Sequence, residues 1–263
     1  CPVGLNCKHV AAILLANLDQ QVSQQGDMFG QPSDKWLYQL KAASSVSKTP
    51  PVSSECILYL LDIDQNTAGY FLTVKTVKAK LQKDGAYTEA RDHTANPESQ
   101  ARYMREDDRF VLLLLRSVVP GLATNLLQLN ASNGSKPLKE MIDTGRCHWQ
   151  SEQNPALKHS DSLKSELNWI LMPDARQVIK AKDLDNQYVL LPVTPPYYVD
   201  TETGDCGLFE CGLSEEMASQ LLSAADVLPN QVDKVSQFLQ QNLDSQHIPL
   251  PVNPVIHQVS DYT

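Results

Sequence analysis

Two strand-like stretches joined by one turn constrain this chain most. Residues 57–63 are dense in apolar, β-favouring side chains, and residues 70–80 alternate through Phe71, Thr73, Lys75 and Val77. Between them, 64–69 carries Asp, Asn and Gly, the residues that close turns. The pattern predicts an antiparallel hairpin, with Lys75, Lys78, Lys80 and Lys83 on its exposed face.

Helical periods flank that hairpin. Val10, Ile13, Leu14, Leu18 and Val22 recur three or four apart, which predicts an amphipathic helix over 7–24 capped by Asn6. A short helix is expected at 36–43, followed by a linker at 44–54 that contains Pro50 and Pro51. Arg105, Glu106, Asp107 and Asp108 precede the apolar run 110–115, and acids at a helix start complement its dipole. A buried helix is expected there, ending near Pro120 and Gly121. Further helices are predicted at 122–130 and 138–143, the second stopped by Thr144, Gly145 and Arg146.

Three strands, 168–172, 177–182 and 188–193, then predict a meander that continues through Tyr197, Tyr198, Val199 and Asp200 to a last strand at 207–211. Helices at 214–224 and 230–243 close the region. Strands and helices come in blocks, not strict alternation, which is the signature of an α+β fold with antiparallel sheets. The expected segments are 1–43, 55–150, 160–245 and an extended linker at 246–263. No repeat of solenoid length recurs.

Among 263 residues, 31 acidic against 22 basic side chains leave a formal charge of −9. That sign is wrong for a protein that lives on phosphate backbones, so weak nucleic-acid binding is expected of this chain alone. Six cysteines lack the density of a secreted disulfide scaffold, which points to a reducing cytoplasm. The longest apolar runs fall far short of the roughly 20 residues needed to span a bilayer, so no membrane partner is expected.

Cys1, Cys7 and His9 pack three zinc-type ligands into nine residues, Cys-x5-Cys-x-His. Zinc in a structural site takes four such groups in a tetrahedron, so one ligand is missing. A Cys7 thiolate at a helix start would be stabilised by free N–H groups and the helix dipole.

The stretch Cys1-Pro2-Val3-Gly4-Leu5-Asn6-Cys7-Lys8-His9-Val10-Ala11-Ala12 resembles a SWIM-type zinc finger, Cys-x-Cys then Cys-x-His, from its second cysteine onward. The resemblance implies a first cysteine two positions before Cys1, and a chain that is a piece of a longer protein. Stretches at 57–62, 70–83 and 105–115, then Thr144-Gly145-Arg146-Cys147-His148-Trp149, Pro195-Pro196-Tyr197-Tyr198-Val199-Asp200 and Ile248-Pro249-Leu250-Pro251, resemble in order the accessory region of bacterial SWI/SNF-type (DEAD/DEAH-like) helicases. What this implies is a structural Zn2+ held by Cys1, Cys7, His9 and the upstream cysteine. It also implies an ATPase motor downstream in the same polypeptide, and a parent protein that engages nucleic acid, DNA in the first instance.

The chain itself has no Gly-x4-Gly-Lys-Ser/Thr phosphate loop, and no Gly-x-Ser-x-Gly, His-Glu-x-x-His or Gly-x-Gly-x-x-Gly pattern, so it is expected to be non-catalytic. Cys147 and His148 are adjacent and are expected to point apart, as structural residues. Cys206 and Cys211 are expected to be buried, and Tyr197 and Tyr198 to pack at a strand edge instead of stacking on bases. A docking module that binds the motor or a partner without touching nucleic acid is the rival reading, and the acidic charge favours it.

Overall fold

The computed structural model describes residues 54–118, 125–129, 132, 134–242 and 248–253. The chain divides into two units, Cys1–Val52 and Ser53–Thr263, and the described residues all belong to the second. Cys1, Cys7, His9 and the helices expected at 7–24 and 36–43 lie outside the described residues.

The expected hairpin is present and longer than its apolar core. Strands β1 (Glu55–Asn66) and β2 (Gly69–Lys80) pair antiparallel from Glu55 opposite Lys80 to Asn66 opposite Gly69. Only Thr67 and Ala68 remain in the turn, where the Ala68 N–H donates to the Asn66 side chain at 2.8 Å. Ile57, Tyr59, Leu61, Leu72 and Val74 face the principal core. Cys56, Leu58, Leu60, Val77 and Ala79 face the other way, into a smaller cluster covered by Tyr87 and Ala90. A strand buried on both faces reads as an unbroken apolar run, which is why residues 56–61 show little alternation.

Short strands extend this sheet. β3 (Arg91–Asp92) and β4 (Leu126–Leu129) pair with β2, and β5 (Cys147–Trp149) lies parallel to β1. The pairing of β4 corrects the helix expected at 122–130. Leu127 and Leu129 turn inward while Leu126 and Gln128 turn out, a period of two that fits the open edge of β2. Lys75 and Lys78 are held by carboxylates, Asp92 at 2.6 Å and Glu55 at 3.4 Å.

Two helices cover the principal face. In α1 (Glu106–Val118), Val111, Leu112 and Leu115 are buried, but Phe110 and Leu113 are 47% and 56% exposed. The helix is therefore amphipathic and not fully buried as expected, because an α period carries only one stripe of a continuous apolar run inward. In α2 (Ser135–Asp143), Leu138, Met141 and Ile142 complete the contact, each such burial contributing about 1.5–3 kcal/mol.

β6 (Lys158–His159), β7 (Leu163–Lys164), β10 (Tyr188–Leu191), β11 (Tyr197–Asp200) and β12 (Asp205–Glu210) form the second system of strands. β10, β11 and β12 run antiparallel in order, whereas β6 and β7 pair parallel to β12. Leu191, Val193, Val199 and Cys206 join the same core as Tyr59 and Leu138, so one core serves both sheets. β8 (Leu167–Leu171) and β9 (Gln177–Ala181) form a two-stranded sheet of their own, to which Val227 adds a single bridge at Gln177, so the expected single meander is broken between β9 and β10. The connection turns away there: Asp183 takes φ +57°, and the Tyr188 N–H closes a turn onto the Asp185 carbonyl. Helices α3 (Glu215–Leu222) and α4 (Val232–Asn242) follow as expected, with Ser214 capping α3 through the Met217 N–H. The architecture is α+β.

The segment 248–253 is held on this body by side chains that hydrogen-bond to its backbone. Buried Gln177 donates from its side-chain amide to the Val252 carbonyl at 2.7 Å and accepts from the Val252 N–H at 2.8 Å, reproducing a rung of β ladder with one side chain. Trp169 adds a bond from its indole N–H to the Pro249 carbonyl at 2.9 Å. Gln177→Ala is expected to cost about 1–3 kcal/mol through the loss of two hydrogen bonds to exposed Val252. It should also release the Val252 amide, read as fast hydrogen exchange there with the β1 amides still protected.

Candidate functional site

The described residues bring together two motifs that the sequence leaves far apart. Tyr59 donates its hydroxyl to Asp108 Oδ1 at 2.9 Å, and Arg146 Nη2 reaches the same oxygen at 2.6 Å and Asp107 Oδ2 at 3.1 Å. The Arg105 N–H donates to the other oxygen of Asp108 at 3.1 Å. Tyr59, Asp108 and Arg146 are all buried, and neither Nε nor Nη1 of Arg146 has a hydrogen-bond partner. Burial pushes the Asp108 carboxyl above its usual range against the pull of Arg146. Burial works against the charge of Arg146 as well, and Asp108 and Asp107 together outweigh it, so its pKa is raised.

From sequence, Asp107 and Asp108 read as helix-start acids and Arg146 as part of a helix stop. Those local roles exist as well: Thr144 Oγ1 donates to the Met141 carbonyl at 2.7 Å, and Gly145 takes φ +66° at the end of α2. The pairing across 38 residues is invisible in the sequence because each partner has a sufficient local explanation.

Beyond Arg146 the chain alternates. Cys147 and Trp149 enter the principal core beside Tyr59 and Leu61, and His148 takes the opposite side next to Leu60. Cys147 and His148 therefore do not converge. His148 is 3% exposed and lines a cleft of about 470 Å³ with Tyr87, Glu152 and Asn154. Its Nδ1 lies 2.8 Å from the Asn154 carbonyl, which can only accept, so Nδ1 carries the proton and Nε2 presents a lone pair without a partner. Glu152 is anchored by the Ala90 N–H at 3.0 Å.

Burial lowers the His148 pKa below the usual 6.5. An unfolded chain takes up this proton at a higher pH than the folded one, so the stabilisation is complete above 6.5 and declines as pH falls toward the folded value. His93, lowered by burial and Lys78, adds the same sign. Melting temperature is expected to fall on acidification below that point, and His148→Phe should flatten the dependence. An unchanged slope in His148→Phe would show that His148 is not held neutral.

Other thiols and aromatics are built in as packing. Burial raises the thiol of Cys147 well above its ordinary value and pushes Cys206 up to about 12, so both stay protonated; Cys211 is half-buried. Tyr198 donates its hydroxyl to the Asp161 carbonyl at 3.0 Å, and β11 is an inner strand, not an edge. Buried Asp200 accepts from the Glu202 and Thr203 amides and so closes the turn after β11. The stretches 105–115, 144–149, 197–200 and 248–251 thus contribute contacts that hold the fold together.

Among the described residues no three His, Cys, Asp or Glu side chains are arranged to hold a metal ion, and no helix is long and apolar enough to cross a membrane. The predicted ligands Cys1, Cys7 and His9 lie outside that set. No family model, curated protein or solved structure matches this chain.

Proposed function

We propose that this chain is a non-catalytic accessory region of an ATP-dependent SWI/SNF-type helicase or translocase, anchored by a structural zinc on Cys1, Cys7, His9 and a cysteine upstream. The observation that carries the reading is the Cys-x5-Cys-x-His spacing ahead of an amphipathic helical period. A site with four protein ligands leaves no open position for water, so the metal would contribute folding energy and shape. The ATPase motor would lie downstream, and the parent protein would contact DNA in a reducing cytoplasm.

Zinc stoichiometry decides the metal half. The chain extended upstream through the missing cysteine is expected to hold one zinc by mass spectrometry of the metal, and to lose it in Cys7→Ser and in His9→Ala. A Cys7→Ser protein that keeps its zinc overturns the ligand assignment.

The formal charge of −9 favours a second reading, a module that docks on the motor or on a partner without contacting nucleic acid. Binding to duplex DNA that weakens steeply with added salt supports the first reading. Binding to the motor alone, with none to DNA at low salt, supports the second.

A further inference from the structure

Where β9 parts from β10, the hairpin, β9, β10 and α3 line a half-open cavity of about 340 Å³. Its wall is apolar: Ile63 comes from the hairpin, Ile179 and Ala181 from β9, Leu184 from the connection, Val189 from β10 and Leu222 from α3. Ile179, Ala181 and Leu184 pack against a buried cluster on one side and remain only half-buried, because their other side meets the cavity. Apolar side chains are ordinarily close-packed, and a cleft of this size leaves these facing open space instead. Water is a poor filler, because an ordered water needs two to four polar partners. The Tyr70 hydroxyl, one of the polar groups in the wall, is already committed to Asp226 at 2.5 Å.

Of the other polar side chains in the wall, Tyr188 is half-buried, whereas Lys180, Asp185 and Asn186 are exposed and so mark the solvent end. Lys180 and Asn186 supply N–H donors there, while Asp185 disfavours a strongly anionic head. An apolar chamber of a few hundred Å³ with a few polar groups at its mouth has the size and make-up of small-molecule sites.

We propose that this cavity binds a small amphiphile, with its apolar body among Ile179, Ala181, Val189 and Leu222 and one hydrogen-bond-accepting head beside Lys180 and Asn186. The head is a hydroxyl or a monocarboxylate. The site stands apart from the zinc reading and does not depend on it.

Titration calorimetry of the full chain with octanol, hexanol and octanoate tests it. Octanol is expected to bind at one site, and hexanol more than tenfold more weakly, since each methylene withdrawn from an apolar site costs about fourfold. Ala181→Phe fills the chamber and should weaken octanol at least tenfold, with the circular dichroism spectrum retained. Val178→Phe, on the same wall, serves if Ala181→Phe fails to fold. Octanoate binding tighter than octanol, and weakened by Lys180→Glu, supports a carboxylate head; octanol binding tighter supports a hydroxyl head. Absence of octanol and octanoate binding, or equal binding by a folded Ala181→Phe or Val178→Phe chain, overturns the proposal.

Discussion

Replacing Arg146 by methionine is expected to lower stability by about 3–5 kcal/mol, measured by urea unfolding followed through tyrosine and tryptophan fluorescence. The loss comes less from the vanished ion pair than from what stays behind. Asp108 has no exposed surface, shares its oxygens with Tyr59 and the Arg105 amide, and would hold a buried charge with no cation beside it. Asp108→Asn combined with Arg146→Met should restore part of the loss, because the amide removes the buried charge and still offers a partner to the Tyr59 hydroxyl and the Arg105 N–H. A double variant no more stable than Arg146→Met would show that the uncompensated charge of Asp108 is not what the single variant loses. A single-variant loss below about 1 kcal/mol would place Arg146 in the class of exposed surface pairs.

Gly69→Ala is expected to be nearly as damaging, at about 2–6 kcal/mol, from backbone strain and overpacking together. Gly69 takes φ +129°, which side-chain-bearing residues rarely adopt, and an added Cβ would sit 1.9 Å from the Ser223 carbonyl oxygen. That oxygen accepts the Tyr70 N–H at 3.0 Å, and the Tyr70 hydroxyl reaches Asp226, which also binds Arg176 at 2.5 Å. The hairpin end is thus seated on the turn after α3, and the seat has no room for a methyl group. Differential scanning calorimetry should show a lowered melting temperature. Gly85→Ala, where φ is +86° but nothing lies within 4 Å, should cost only the strain. Equal losses at the two positions would mean that the close approach to Ser223 carries no energy.

Local patterns make much of the fold legible. A turn between two β-rich runs sets the β1–β2 hairpin, because cross-strand pairing near in sequence needs little loop closure. The helices α1, α2, α3 and α4 are marked by their apolar period or their flanking turns. Residues 126–129 mislead because four residues with two inward leucines satisfy a helical and a strand pattern equally, and only the open edge of β2 chooses between them. β5, β6 and β7 escape the sequence for a related reason. Two- and three-residue strands carry no period of their own and exist as partners of β1 and β12.

The candidate sites divide the same way. The Cys-x5-Cys-x-His spacing of Cys1, Cys7 and His9 is visible in sequence, and the zinc site proposed on it is read from that spacing without a fold. By itself the sequence determined the α+β class, the central hairpin, the acidic charge and that ligand spacing, all properties of neighbouring residues. The Arg146–Asp108 pair, the unpartnered nitrogen of His148, the grip of Gln177 on Val252 and the apolar chamber beside β9 were decided only by the tertiary structure. Each depends on burial and on contacts between distant segments, and low dielectric and close packing come into being only when those segments meet.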